Sequence, residues 1–275
     1  MSRIVDGRLI SEGILAGLKD KIIRLKLKPH LAVILVGSDP ASQTYVRKKQ
    51  EAAQSIGVKF SLYPYPADTD TKQLIAELKK IQTQDLSGII VQLPLPPGID
   101  KRQVLNAIDP LLDVDYLSWE SLGKLVIGEN ELIPPTPGAI LEVLNYYKIP
   151  VSGQHVVLVG QGELIGKPLA NLLLQMPVTL TVCGKETNNL ASLTRQADIL
   201  ITGVGKAEMI KGDMVKSGAV VIDAGVSFRD KKMFGDVEFE AVSRVASLIT
   251  PTPGGVGPIT VAKLLENTVL NVMRS

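Results

Sequence analysis

Cysteine is almost absent. Cys183 is the only one in 275 residues, so neither an internal disulfide nor a cysteine-rich metal cluster is available. His30 and His155 are the only histidines, each beside an expected strand start, and no protein-held metal is implied. Aromatic residues make up 4% of the chain and the formal charge is only +2, with acids and bases interspersed. Neither a basic stripe nor a base-stacking platform is evident, which argues against a nucleic-acid partner. No apolar run approaches the roughly 18 residues of a membrane span, and the first residues lack the apolar core of a signal peptide. The expectation is a cytoplasmic protein with no membrane partner.

What is present suffices for a large core: 45% of residues are hydrophobic and 21% charged. The length suggests two domains. Apolar positions Ile10, Ile14, Leu15, Leu18, Ile22 and Ile23 recur with helical spacing, with Ser11 as a possible cap. Leu31 to Val36 is an unbroken apolar run of the kind buried parallel strands show. Strand and helix then alternate through Val58–Tyr65, Thr71–Ile81 and Gly88–Gln92, which predicts parallel βαβ units. A second alternating set follows a proline-rich break at 133–138. Its expected strands are His155–Gly160, Val178–Cys183, Asp198–Thr202, Ala219–Asp223 and Ser247–Ile249, a doubly wound sheet. A last helix, from Pro258 to about Met273, is expected to return to the first domain.

The chain is organised around residues 41–53, a helix that Asp39 or Ser42 can cap and Pro40 can start. Tyr45 and Lys49 are four apart and share a face near a strand end, where open α/β sheets bind ligands. Taken alone, the pair reads more readily as a packed ring and a solvated cation than as a site. Gln92 ends the third strand at a run of prolines, where it either holds a polar substrate or caps loose backbone groups. Asp113 and Asp115 stand at alternate positions and share a face if extended.

Gly160, Gly162 and Gly166 form a turn between strand and helix, where missing Cβ atoms let backbone approach a pyrophosphate. Three residues rather than two separate Gly162 from Gly166. At the next strand end, where an acid normally binds the ribose of NAD, Lys185 stands with Glu186 beside it, and the lysine modestly favours a 2′-phosphate. Finally, 251–258 interleaves glycine with proline, a rigid backbone able to lie against a planar ligand.

Five of these stretches together resemble the methylenetetrahydrofolate dehydrogenase/cyclohydrolase family, often called FolD. They are Ala41-Ser42 with Tyr45 and Lys49, Val91-Gln92-Leu93-Pro94-Leu95-Pro96, Asp113-Val114-Asp115, Val159-Gly160 with Ile165-Gly166-Lys167-Pro168, and residues 251–258. The resemblance implies an α/β protein of two domains with the active-site cleft between them. These are an N-terminal catalytic and folate domain at 1–138, completed by 257–275, and a Rossmann-type NAD(P)-binding domain at 139–256. It implies Lys49 as the catalytic lysine, Tyr45 as the ring packed on the pterin, Gln92 as the lysine's partner and Asp115 as the pterin's carboxylate. Val91 and Leu93, with Pro253, Gly254, Gly255, Val256 and Gly257, correspond to the folate cleft. Gly160, Gln161, Gly162, Lys185 and Val226 correspond to cofactor contacts.

The implied activity is oxidation of 5,10-methylenetetrahydrofolate with NADP, NAD being the alternative, and hydrolysis of the product to 10-formyltetrahydrofolate. The setting is one-carbon metabolism serving purine biosynthesis, and the usual assembly is a homodimer. Rival readings are an enzyme keeping one of the two activities, a non-catalytic folate- or nucleotide-binding protein, and a Rossmann dehydrogenase of the shikimate or amino-acid type. Where Tyr116 and Gln161-Gly162 stand, the family commonly has Gly and a segment containing Ser. Gln161 lacks the charge an arginine would offer a 2′-phosphate.

Overall fold

The computed structural model describes residues 2–230 and 232–274. In chain order it runs β1 (Arg3–Ile4), α1 (Gly7–Leu25), β2 (His30–Val36), α2 (Pro40–Ile56), β3 (Lys59–Tyr65), α3 (Thr71–Ile81) and β4 (Gly88–Val91). Three helices follow, α4 (Lys101–Asn106), α5 (Trp119–Ile127) and α6 (Pro135–Tyr146). Next come β5 (His155–Val159), α7 (Gly166–Leu174), β6 (Thr179–Cys183), α8 (Leu190–Thr194), β7 (Ile199–Thr202) and β8 (Val220–Asp223). The chain closes with β9 (Ser227–Arg229), β10 (Lys232–Phe234), α9 (Phe239–Val242), β11 (Leu248–Ile249) and α10 (Val256–Val272).

Two compact units divide the chain. One holds Glu12–Pro135 and Val261–Ser275, the other Met1–Ser11 and Thr136–Thr260. The first unit is built on a three-stranded parallel sheet, β3-β2-β4. Its middle strand β2 is buried along all seven residues, as expected of a strand covered on both faces. Pro64 falls on β3, an edge strand, where a missing ladder donor is tolerated. Ile34, Leu74, Leu78, Ile89 and Leu105 form its core.

The second unit is a six-stranded parallel sheet in the order β1-β11-β8-β7-β5-β6, with a separate antiparallel hairpin β9-β10. Residues 1–11, counted with the first domain from sequence, belong to this unit because β1 pairs in parallel with β11. Two residues carry too little periodicity to announce a strand, and only pairing defines it. Ser11 does not cap α1. The Asp6 carboxylate accepts from the Arg8 and Leu9 amides, and the Ser11 hydroxyl donates to the Pro258 carbonyl. No described helix is long and apolar enough to cross a membrane.

At the end of β8, Asp223 is 3% exposed. Its carboxylate accepts from the Gly225 and Val237 amides and the Thr202 hydroxyl. Burial raises its pKa to about 6 despite those hydrogen bonds, and the neighbouring Asp236 adds to the rise. An acid whose folded pKa exceeds its unfolded value costs native stability as pH rises between the two. The unfolding free energy of the protein minus that of Asp223→Asn is therefore expected to fall by roughly 2–3 kcal/mol between about pH 4 and pH 7. Denaturant titrations of both proteins across that range measure it, and a flat difference would refute the assignment.

Candidate active site

α2 begins where β2 ends. The Asp39 carboxylate accepts from the Ser42 amide at 2.7 Å, Pro40 occupies the first helical position, and Gly57 closes the helix in the left-handed region. Tyr45 and Lys49 thus rise from the carboxyl end of a buried strand, both half-buried. The Gln92 amide donates to the Ile34 carbonyl at 2.8 Å, continuing the β4 to β2 pairing one residue past the strand. That bond sets Gln92, buried to 9% exposure, opposite the lysine.

The Lys49 ammonium donates to Gln92 Oε1 at 3.0 Å, and Gln92 Nε2 donates to the Leu93 carbonyl at 2.6 Å. Of the two roles open to this glutamine, backbone capping occurs, and its free oxygen takes the lysine rather than a substrate. A neutral acceptor solvates the ammonium without fixing it as a cation. Burial lowers the Lys49 pKa, and the Asp115 charge works against that shift. Burial likewise raises the pKa of Asp115, opposed by Lys49. Burial also raises the Tyr45 phenol, so it stays a neutral donor at physiological pH.

The two aspartates do different work. Asp113, 1% exposed, accepts from the Leu117 and Ser118 amides, so its carboxylate is spent on the turn. Asp115 is half-buried and stays partly accessible. Their segment lies along β4, with Ile89 paired to Asp113 and the Ile89 amide donating to the Leu112 carbonyl. From α10, Asn267 Nδ2 donates to the Val114 and Ile133 carbonyls, and Asn271 Nδ2 donates to those of Ser87 and Leu111. These asparagines fix the Asp115 segment, and nothing in sequence spacing marks them, since they lie some 150 residues from what they hold. Tyr116 adopts φ +62°, the left-handed conformation glycine takes most easily, while its ring is buried.

In the second unit, Gly160 has φ +118° and its amide donates to the Cys183 carbonyl at 2.9 Å. The Gly160 carbonyl occupies the space a Cβ on Gly166 would need, so this close turn requires glycine there. α7 starts at Gly166 with no side-chain cap; its Lys167 amide is taken by the Gly162 carbonyl at 2.9 Å, and Pro168 has no amide hydrogen. The Gln161 amide lies against Gly184, where a Cβ would stand 2.5 Å from Gln161 Oε1. Gln161, Gly162, Lys185 and Val226 are exposed, the lysine immediately beyond Gly184. These features fit a dinucleotide: a glycine turn whose backbone can approach phosphates, a helix that begins directly after it, and a cation at the next strand end.

Residues Pro253, Gly254, Gly255, Val256 and Gly257 also belong to this unit. The Gly7 amide donates to the Gly254 carbonyl at 2.9 Å, and a Cβ on Gly255 would stand 2.5 Å from the Pro251 carbonyl oxygen. Tyr45, Lys49, Val91, Gln92, Leu93 and Asp115 lie in the first unit.

A glycine turn on a doubly wound parallel sheet, joined in one chain to a unit bearing a desolvated lysine, defines a dinucleotide-binding α/β protein. Residues 5–115 match the family described as tetrahydrofolate dehydrogenase/cyclohydrolase, catalytic domain, and residues 134–275 match its NAD(P)-binding domain. The chain belongs to the tetrahydrofolate dehydrogenase/cyclohydrolase family. It is 46% identical over 273 residues to the bifunctional protein FolD of Exiguobacterium sibiricum, covering 98% of this chain and 99% of that one. Among solved structures, the FolD dehydrogenase/cyclohydrolase of Campylobacter jejuni matches with TM-score 0.96 and 39% identity, covering 100% of this chain and 99% of that one. The Trypanosoma brucei FolD, complexed with NADP cofactor and inhibitor, matches with TM-score 0.96 and 34% identity over 99% and 98% of the two chains.

Proposed function

We propose that this protein oxidises 5,10-methylenetetrahydrofolate to the methenyl form with NADP and hydrolyses that product to 10-formyltetrahydrofolate. The observation that carries the reading is the Lys49 ammonium, held by the neutral Gln92 at 3.0 Å and lowered in pKa by burial. Full-length likeness to bifunctional relatives supports it.

In the hydrolysis, water adds to the methenyl carbon and loses a proton, and a ring C–N bond then breaks as that nitrogen gains one. A lysine able to spend time neutral accepts the first proton and returns it. Gln92 orients the amine through a hydrogen bond that adds no charge, so the cationic substrate lowers the lysine's pKa further. Tyr45 offers ring surface and a neutral hydroxyl, and Asp115 is placed to accept from the amino group of a pterin. In the oxidation, the bound dinucleotide supplies the hydride acceptor, and this chain's residues orient and shield it. Gly160, Gln161 and Gly162, at the positive end of the α7 dipole, would hold its phosphates, and Val226 would line the site. Lys185 favours the 2′-phosphate that distinguishes NADP, as does the NADP found in the trypanosomal relative.

We further propose a cytoplasmic homodimer whose formyl product serves purine biosynthesis. In the six-stranded sheet, β6 is an edge strand, paired only with β5 among the described residues. An unpaired parallel edge is a natural place for a second copy to add. A single cysteine suits a reducing compartment.

Four outcomes are expected. Lys49→Ala should abolish methenyl hydrolysis while retaining measurable hydride transfer, followed through methenyl absorbance and reduced cofactor in one cuvette. In the parent, hydrolysis should speed up as pH rises through an inflection below the ordinary lysine value of 10.5. Equal retention of both activities would defeat the reading. Lys185→Glu should lower kcat/KM for NADP about tenfold or more while sparing NAD, and an unchanged ratio would remove this lysine from cofactor choice. Light scattering on the purified chain should give twice its 29.6 kDa mass, with Val182→Asp on β6 shifting it toward the monomer. A monomeric parent would contradict the assembly.

A further inference from the structure

From β5 the second unit winds in both directions, to β6 on one side and to β7 on the other. That reversal opens a crevice beyond the carboxyl ends of β5 and β7, where doubly wound sheets take their ligands. One wall is the glycine turn after β5. The other is residues 203–206 after β7, and the two touch: a Cβ on Gly160 would stand 2.7 Å from the Gly203 carbonyl oxygen.

Residues 203–206 form neither helix nor strand. Their shape is set from behind by Asp236, whose carboxylate accepts from the amides of Val204 at 2.6 Å, Gly205 at 2.8 Å and Lys206 at 2.8 Å. Three consecutive amides converging on one carboxylate make a strong, directional anchor. Gly205 holds φ +80°. Asp236 is itself fixed, its carbonyl accepting from the Ile210 amide at 2.9 Å. Its neighbour Asp223 does the same for the next loop, holding the Gly225 amide at 2.9 Å just before the exposed Val226. Asp236 is 0% exposed and out of reach of any ligand.

We propose that Asp236 is a positioning residue for the dinucleotide, fixing the 203–206 wall of the switch-point crevice from within the core. This rests on the dehydrogenase reading above. Hydrolysis depends on Lys49 and Gln92 in the other compact unit, so the role separates the two activities. A general contribution to folding would not.

The test compares the parent with Asp236→Asn, which keeps size but turns amide donors toward backbone amides, and with Gly205→Ala. The latter strains the same loop at an exposed position without touching either carboxylate. For each protein, the dissociation constant of NADP is measured by titration, with KM and kcat for NADP and the rate of methenyl hydrolysis. Both variants should weaken NADP about tenfold, in dissociation constant and KM alike, with kcat at saturation and hydrolysis retained. Unchanged NADP affinity in a folded variant would overturn the proposal. So would loss of hydrolysis in step with affinity in Gly205→Ala, and that variant decides if Asp236→Asn does not fold. A parent that binds NADP without reducing it would refute the dehydrogenase reading, yet leave the affinities to judge Asp236.

Discussion

The proposed hydrolysis turns on one requirement in the first unit: an ammonium must lose much of its water yet remain free to lose its proton. A carboxylate in direct contact would satisfy the charge but lock the proton in place. Here the direct partner is the Gln92 amide, while Asp115 acts on the lysine through its charge. The remaining structure of the unit serves that arrangement. Pairing of β4 with β2 carries one bond past the strand and fixes Gln92, and the Asp39 cap launches Lys49 from the adjacent strand end. Asn267 and Asn271 hold the aspartate's segment through its carbonyls.

The second unit answers a different constraint, that backbone rather than side chains must approach a phosphate. Glycine supplies the close approach at Gly160 and Gly166, but missing side chains also remove the means of holding a loop still. Buried carboxylates take over that task from the far side. Asp236 and Asp223 gather the amides of three loop residues and of Gly225, so the exposed surface is backbone and its rigidity originates in the core. The raised pKa of Asp223 reflects chiefly the cost of burying its carboxylate, to which the neighbouring Asp236 adds.

Much of this was legible in the residues. Helical spacing and short apolar runs located α2, α3, β2, β4, β5 and β7 closely, because strands buried on both faces leave unbroken apolar sequence. The two-residue β1, the short α8 and the β9-β10 hairpin left no such trace, being too short for a period to register. Tyr45, Lys49, Gln92 and Asp115 were nameable through local motifs, and their grouping in the first unit follows from adjacent strand ends. Asn267, Asn271 and Asp236 were not, because each acts on backbone far away in sequence and any polar side chain at those positions looks alike.

The sequence by itself determined the family, the alternation of strand and helix, and the chemical types at the site, because these reside in local spacing and residue identity. Tertiary structure decided which aspartate of Asp113 and Asp115 stays available and that β1 joins the second sheet. It also decided that buried acids and asparagines hold the loops, because burial and hydrogen-bond partnership exist only once distant segments meet.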